Sequence, residues 1–237
     1  MPASGAERNA TVALTFAAVV TGDVNASSRM AADQARRLQA VLRRCFVETA
    51  YALPQADLRG FSVYRGDAWQ FVVSRAEHAV RAVLFFRSHL LVLSDREFKR
   101  RLHSAAAIGF GEVDYLPDQA ATSGGGEAYE RSGRRLDRLR KRIPGLGAAG
   151  AGDLDPYLDH LLGVIDALAR QWTASRAKAV SMALQGQSQG EIASLWEPPV
   201  SQQAIQKHLA AAGWPALEPT LAWIETTLKG CFSKYNP

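Results

Sequence analysis

Two aspartates, each following a glycine, are the residues of this sequence best suited by type to do chemistry. Asp23 stands in Val20-Thr21-Gly22-Asp23-Val24-Asn25-Ala26-Ser27-Ser28, directly after an apolar run that reads as a strand. Asp67 stands in Arg65-Gly66-Asp67-Ala68-Trp69-Gln70, at a tight turn between two short strands. Carboxylates on rigid strands suit Mg²⁺, which takes hard oxygen ligands and leaves other positions to phosphate and water. Ser27 and Ser28 come just before the first helical pattern, whose free N–H groups can hold phosphate oxygens. Gly-Asp is also an ordinary turn pair. The metal reading of Asp23 and Asp67 therefore depends on the two converging at one edge of a sheet.

A second chemistry lies near the other end. Ala183-Leu184-Gln185-Gly186-Gln187-Ser188-Gln189-Gly190-Glu191-Ile192-Ala193 has the form of a helix-turn-helix, with Gly186 ending one helix and Ser188 capping the next. Val200 to Leu209 then reads as a recognition helix capped by Ser201, with Ala204, Ile205 and Leu209 facing inward. Gln202, Gln203, Gln206 and Lys207 face outward. Glutamine can bond bidentately to adenine in the major groove, and Ser201 or Lys207 can hold phosphate. Pro198-Pro199 lengthens the usual turn. Charge speaks less clearly, because residues 174–214 carry Arg176, Lys178 and Lys207 against Glu191 and Glu197. The arginines of 131–142 are the expected source of further phosphate contacts, and a helical bundle used only for packing is the competing reading.

The elements that must hold these residues follow from periodicity. Val12 to Val20 reads as a strand buried on both faces, and Ala35 to Thr49 as an amphipathic helix. Strands at Gly60–Arg65 and Trp69–Val73, a helix at Arg75–His89, a strand at Ala105–Val113 and a basic helix at Gly126–Arg142 come next. Strand, helix, hairpin, helix, strand is the order of a ferredoxin-like α+β sandwich. The glycine-rich Ile143–Gly152 reads as a linker between an α+β domain at 10–143 and a helical domain at 153–237. A strong stripe from Leu158 to Trp172 opens the second domain, and helices at about 174–185, 189–196, 201–212 and 217–230 follow.

Composition narrows the classes. At 47% hydrophobic and 22% charged over 237 residues, the chain is neither disordered, collagen-like nor a coiled coil. Residues 1–143 carry 22 Lys and Arg against 15 Asp and Glu, while 144–237 carry 6 against 8. The excess of cations in the first part favours phosphate-bearing partners without choosing among them. Cys45 and Cys231 are the only cysteines, which excludes a disulfide framework and fits a reducing, cytoplasmic setting. The apolar run Thr11–Val20 is too short to span a membrane and has no basic head, so no membrane partner is expected. Five scattered histidines show no metal-ligand spacing, and Walker, Gly-x-Ser-x-Gly and His-Glu-x-x-His motifs do not occur. Trp172, Trp214 and Trp223 read as packing residues of the helical part.

Asp23, Gly66-Asp67 and Ile108-Gly109-Phe110-Gly111-Glu112-Val113 together resemble the nucleotidyl cyclase palm. More closely, Thr21-Gly22-Asp23, Gly66-Asp67-Ala68-Trp69-Gln70 and Gly126-Glu127-Ala128-Tyr129-Glu130-Arg131-Ser132-Gly133-Arg134 resemble the SatD-like family, a bacterial family that joins a cyclase-like domain to a C-terminal helix-turn-helix. The resemblance covers most of residues 12–214. It implies Asp23 and Asp67 as metal ligands and Gly66 and Arg134 as nucleotide contacts. The pattern departs at Glu130, where class III cyclases use asparagine, and at Val63, where they use a base-reading lysine. A carboxylate at Glu130 repels triphosphate, so binding a nucleotide is expected over turning it over. Three functions result. The first is a DNA-binding transcriptional regulator, working as a homodimer, whose cyclase-like domain binds a nucleotide or related phosphate ligand with Mg²⁺. The second is a cyclase or polymerase-like enzyme making a nucleotide signal. The third is a scaffold that binds neither ligand.

Overall fold

The computed structural model describes residues 15–25, 30–64, 66–114, 121, 124–140 and 145–235. Its centre is a five-stranded sheet in the order β2-β3-β1-β4-β5. β1 (Thr15–Val24) pairs antiparallel with both β3 (Ala68–Val73) and β4 (Ser104–Val113), and β2 (Leu58–Tyr64) completes the hairpin with β3. With α1 (Ala32–Ala52) after β1 and α2 (Ala79–Phe98) after β3, the first four strands make the ferredoxin-like β-α-β-β-α-β unit expected from the sequence.

The sheet is covered on both faces, which is why β1 and β4 read as continuous apolar runs. Phe16, Ala18 and Val20 of β1 and Ile108 and Phe110 of β4 face the main core, where Phe16 and Phe110 both pack on the ring of Phe232. Ala17 and Val19, one residue out of phase, face α3 (Glu127–Arg140) together with Ala128. Ala105 and Ala107 meet Leu136 and Leu139 of the same helix. α3 lies unusually close to the sheet: a Cβ on Gly109 would collide with the Ala128 carbonyl and the Ser132 amide. The Gly-x-Gly of β4 is thus where a helix docks.

Three features differ from the sequence reading. β1 extends to Val24, so Asp23 lies inside the strand, opposite Ala68 on one side and Ala105 on the other. α1 begins at Ala32 after an Ala31 cap whose N–H donates to Gln34 Oε1 at 3.4 Å, a few residues later than the sequence suggested. The stretch expected to be a linker carries β5 (Leu146–Ala149), parallel to β4. Its small residues serve packing, since the Arg135 guanidinium lies where a side chain at Gly147 would be. The Asp155 carboxylate then accepts the N–H groups of Gly150 and Ala151 at 3.0 and 2.8 Å and pins the exit from β5.

The helices α4 (Asp155–Ala169), α5 (Ala174–Ala183), α6 (Gln189–Leu195), α7 (Gln202–Ala211) and α8 (Trp214–Phe232) share one buried cluster with α1, α2 and the sheet. The regional charge difference has a structural use here. Arg81 of α2 grips Glu225 of α8 through two bonds of 2.6 and 2.9 Å, and it also donates to the Leu184 carbonyl at 3.0 Å. Arg87 pairs with Asp166 in the interior, and Arg135 reaches Asp159 at 2.7 Å. Part of the cation excess of the first 143 residues is therefore spent inside the molecule. Trp172 and Trp214 are buried, but Trp223 is half exposed on α8 and is not the core residue its spacing suggested.

Candidate functional site

Asp23 and Asp67 come together at one end of the sheet. Asp23 is opposite Ala68 in the β1–β3 ladder, and the N–H of Val24 donates to the Asp67 carbonyl at 3.3 Å. Both residues are half-buried. Gly66 supplies the turn with φ +89°, a conformation that side-chain-bearing residues rarely take. The two backbone positions meet there, and carboxylate is the donor type through which Mg²⁺ is commonly held beside substrate phosphates. Among the described residues no group of three or more His, Cys, Asp or Glu gathers into a fuller cage.

The backbone beneath Asp23 is fixed by a relay that sequence reasoning missed. The Trp69 indole N–H donates to Ser104 Oγ at 3.0 Å, and Ser104 Oγ lies 2.9 Å from the Asp23 carbonyl. Trp69 fills the space over Gly22, where any Cβ would strike its ring. On the opposite face Gln70 donates to Thr21 Oγ1 at 2.8 Å, and Thr21 Oγ1 meets Ser132 Oγ of α3 at 2.9 Å. Thr21, Gln70 and Ser132 are all buried. The Thr-Gly-Asp, Gly-Asp-Ala-Trp-Gln and α3 segments are thereby interlocked. The signal was present in the alternation of β3, where Gln70 falls in phase with Val72, on a face shown by Thr21 to be internal.

The remaining residues of this site are placed differently. Ser27 and Ser28 lie outside the described residues. Arg134 stands on the solvent face of α3, paired with Glu130 one turn earlier, while Ser132 and Arg135 turn toward the protein. The acidic residue read from the sequence as a departure is therefore the partner of the arginine itself.

The second site is a three-helix unit. α5, α6 and α7 pack on one another through Ile192, Ala193, Ile205 and Leu209. Gly186 has φ +82° just after α5. Ser188 caps α6 by accepting the Glu191 N–H at 3.3 Å, and the Glu191 carboxylate returns a bond to the Ser188 N–H at 2.7 Å. Those bonds hold the Glu191 carboxyl below its ordinary value. Ser201 caps α7 through the Ala204 N–H at 3.2 Å. Gln202, Gln203, Gln206 and Lys207 are all exposed along α7, while Ile205 and Leu209 are buried. The lengthened turn is held by the Val200 N–H on the Ala193 carbonyl at 3.2 Å and by Trp196, which stacks on His208 and lies under the Lys178 ammonium. Bases in a major groove are read by side chains presented in this way from a helix whose other face is packed.

Other titratable groups are structural. Cys45 is fully buried, which pushes its thiol far up and makes it inert. His89 is stacked on Phe85, and desolvation lowers its pKa. Among the described residues no helix is long and apolar enough to cross a membrane.

No protein-family model matches the chain, and no curated protein sequence is similar to it. Among solved structures, a bacterial light-regulated adenylyl cyclase is similar with TM-score 0.41 and 15% identity, over 58% of this chain and 43% of that one. A second structure of a bacterial light-regulated adenylyl cyclase gives TM-score 0.40 and 14% identity, over 57% and 76% of the two chains. The α+β class itself rests on the strand order and covered faces of the sheet described above.

Proposed function

We propose that this protein is a DNA-binding regulator whose α+β part binds a nucleotide or related phosphate ligand. The observation that carries the reading is α7: four polar side chains capable of base or phosphate contact are exposed on a helix whose Ile205 and Leu209 are buried against α5 and α6. Asp23 and Asp67 would hold Mg²⁺, whose charge neutralises phosphate oxygens at the sheet end. Arg134 would contact phosphate only on leaving Glu130. In a homodimer two α7 helices would meet two half-sites, which compensates for the modest charge of each unit. The SatD-like resemblance of the sequence points the same way.

Coupling between the two sites requires a ligand that favours one arrangement of the molecule. Buried ion pairs and a common core join the helices to the sheet, so such coupling passes through α2 and α8 and not through a flexible linker. Selection of duplexes from a randomised pool by the full chain tests the DNA reading. The expected result is an enriched motif that Gln203→Ala blurs at one position; a pool that stays random contradicts it.

One observation favours a second reading. Asp23 and Asp67 sit one residue apart across the β1–β3 ladder, an arrangement that also serves metal-dependent enzymes acting on nucleoside triphosphates. Such an enzyme consumes triphosphate with Mg²⁺ or Mn²⁺ and loses the activity on Asp23→Asn or Asp67→Asn. No consumption with either metal removes this reading.

A further inference from the structure

A DNA reader must neutralise phosphates, and the α5–α7 unit is poorly supplied for it. Its cations are Arg176, Lys178 and Lys207, and Lys178 is already engaged with the Trp196 ring at 4.2 Å. The arginines of α3, the source expected from the sequence, are largely committed. Arg131 bonds to Glu127 at 2.9 Å and to the Phe110 carbonyl at 2.7 Å, Arg134 pairs with Glu130, and Arg135 pairs with Asp159.

Further exposed cations gather at the end of α2. Arg96, Lys99 and Arg100, at the end of α2, are exposed and form no ion pair among the described residues. Beside them a groove of about 320 Å³ runs between α1 and α2, lined in part by Arg37, Arg44 and Arg96. Arg37 shares its charge between Asp33 and Glu97 at 3.2 and 3.1 Å and Arg44 pairs with Glu48 at 3.5 Å, so the two support the corner without dominating it. Lys99 ends α2 with φ +52°, a conformation in which glycine is the unstrained residue.

This corner is tied to the helix-turn-helix unit by the packing of α2 on α5 and by Arg101. The guanidinium of Arg101 donates to the Trp172 carbonyl at 3.0 Å, and the Trp172 indole N–H donates to the Ala212 carbonyl, just past α7, at 2.9 Å. We infer that Arg96, Lys99 and Arg100, backed by Arg37 and Arg44, form a second contact with the phosphate backbone of the DNA that α7 reads. The inference rests on the DNA-binding reading and adds where most of its electrostatic affinity comes from. Phosphate contacts of this kind set affinity and register but carry no base preference.

Salt dependence isolates the corner. The full-length protein is titrated on one duplex by fluorescence anisotropy at several salt concentrations, beside a triple variant Arg96→Gln, Lys99→Gln, Arg100→Gln. Each lost phosphate contact lowers the slope of log K against log salt by about 0.9, so the triple variant loses up to about 2.7. Preference over a scrambled duplex stays as in wild type. A variant Arg96→Lys, Arg100→Lys, which keeps Lys99 and all three charges, keeps the wild-type slope. Lys99→Gly separates contact from fold, since glycine relieves the backbone and keeps stability while the slope still falls by about 0.9. A slope unchanged in the triple variant, in a protein that binds DNA, overturns this inference and leaves α7 standing. A wild-type protein that binds no duplex overturns the DNA reading and this inference together.

Discussion

The aspartate end of the sheet and the outer face of α7 carry candidate chemistry in opposite ways. Asp23 stands on a strand and Asp67 in the adjoining turn, and the neighbouring residues are locked: Trp69 over Gly22, Ser104 beneath the Asp23 carbonyl, and Gln70, Thr21 and Ser132 bonded in the interior. Gln202, Gln203, Gln206 and Lys207 project into solvent from a helix held only by its far side. The first site is rigid because its supports are core residues, so changes around it reach stability before function. The second can change without cost to the fold.

Substitutions ranked by their effect on stability sharpen this contrast. Trp69→Ala empties a fully buried ring site and breaks the relay to Asp23, so a loss of about 3–5 kcal/mol is expected in urea or thermal unfolding. Thr21→Val leaves the Gln70 amide without its buried acceptor and costs about 1–3 kcal/mol by the same measurement. Asp67→Ala, in a half-exposed turn, changes stability by no more than about 0.5 kcal/mol but removes metal-dependent nucleotide binding, read by calorimetric titration. Equal nucleotide affinity in that variant would dissolve the two-aspartate site. Gln203→Ala leaves unfolding unchanged and relaxes base discrimination by about 1–3 kcal/mol at one position, seen as a reduced affinity ratio between matched and mismatched duplexes.

Acid provides a test of how the helices are joined to the sheet. Burial alone would raise the Glu225 carboxyl, but hydrogen bonds from His78 and Arg81 and the Arg81 charge hold it down at about 2. Its contribution is complete above the usual carboxylate range and is lost as pH falls from about 4.5 toward 2. Glu225→Gln should remove that part of the acid dependence from an unfolding curve. An identical curve would mean that the pair adds nothing to the junction.

Sequence periodicity revealed the ferredoxin-like order, because β1 and β4 are apolar on both faces and α1 is apolar on one. The caps of α6 and α7 were equally legible, since Ser188 and Ser201 act within three residues of themselves. Failures occurred where long-range packing decides the outcome. Leu146-Gly147-Ala148-Ala149 has the composition of a linker but forms β5, because it pairs with β4 and buries Leu146 and Ala148, with Gly147 leaving room for Arg135. The α3 arginines read as a free cationic face, whereas Glu127, Glu130 and Asp159 pair with Arg131, Arg134 and Arg135. Asp23 and Asp67 were found by their local turns. The supports of the Asp23 strand, Ser104 and Ser132, come from a strand and a helix more than 80 residues away along the chain.

The central claim is that α7 reads DNA. Fluorescence anisotropy on duplex from upstream of the protein's own gene, beside a scrambled duplex and with Gln203→Ala in parallel, tests it most directly. The titrations are run with and without triphosphate and Mg²⁺. The account predicts preference for the native duplex, weaker preference in the variant, and a shift on adding nucleotide. Equal binding to both duplexes by wild type and variant, with or without nucleotide, would contradict it and reduce the α5–α7 unit to packing.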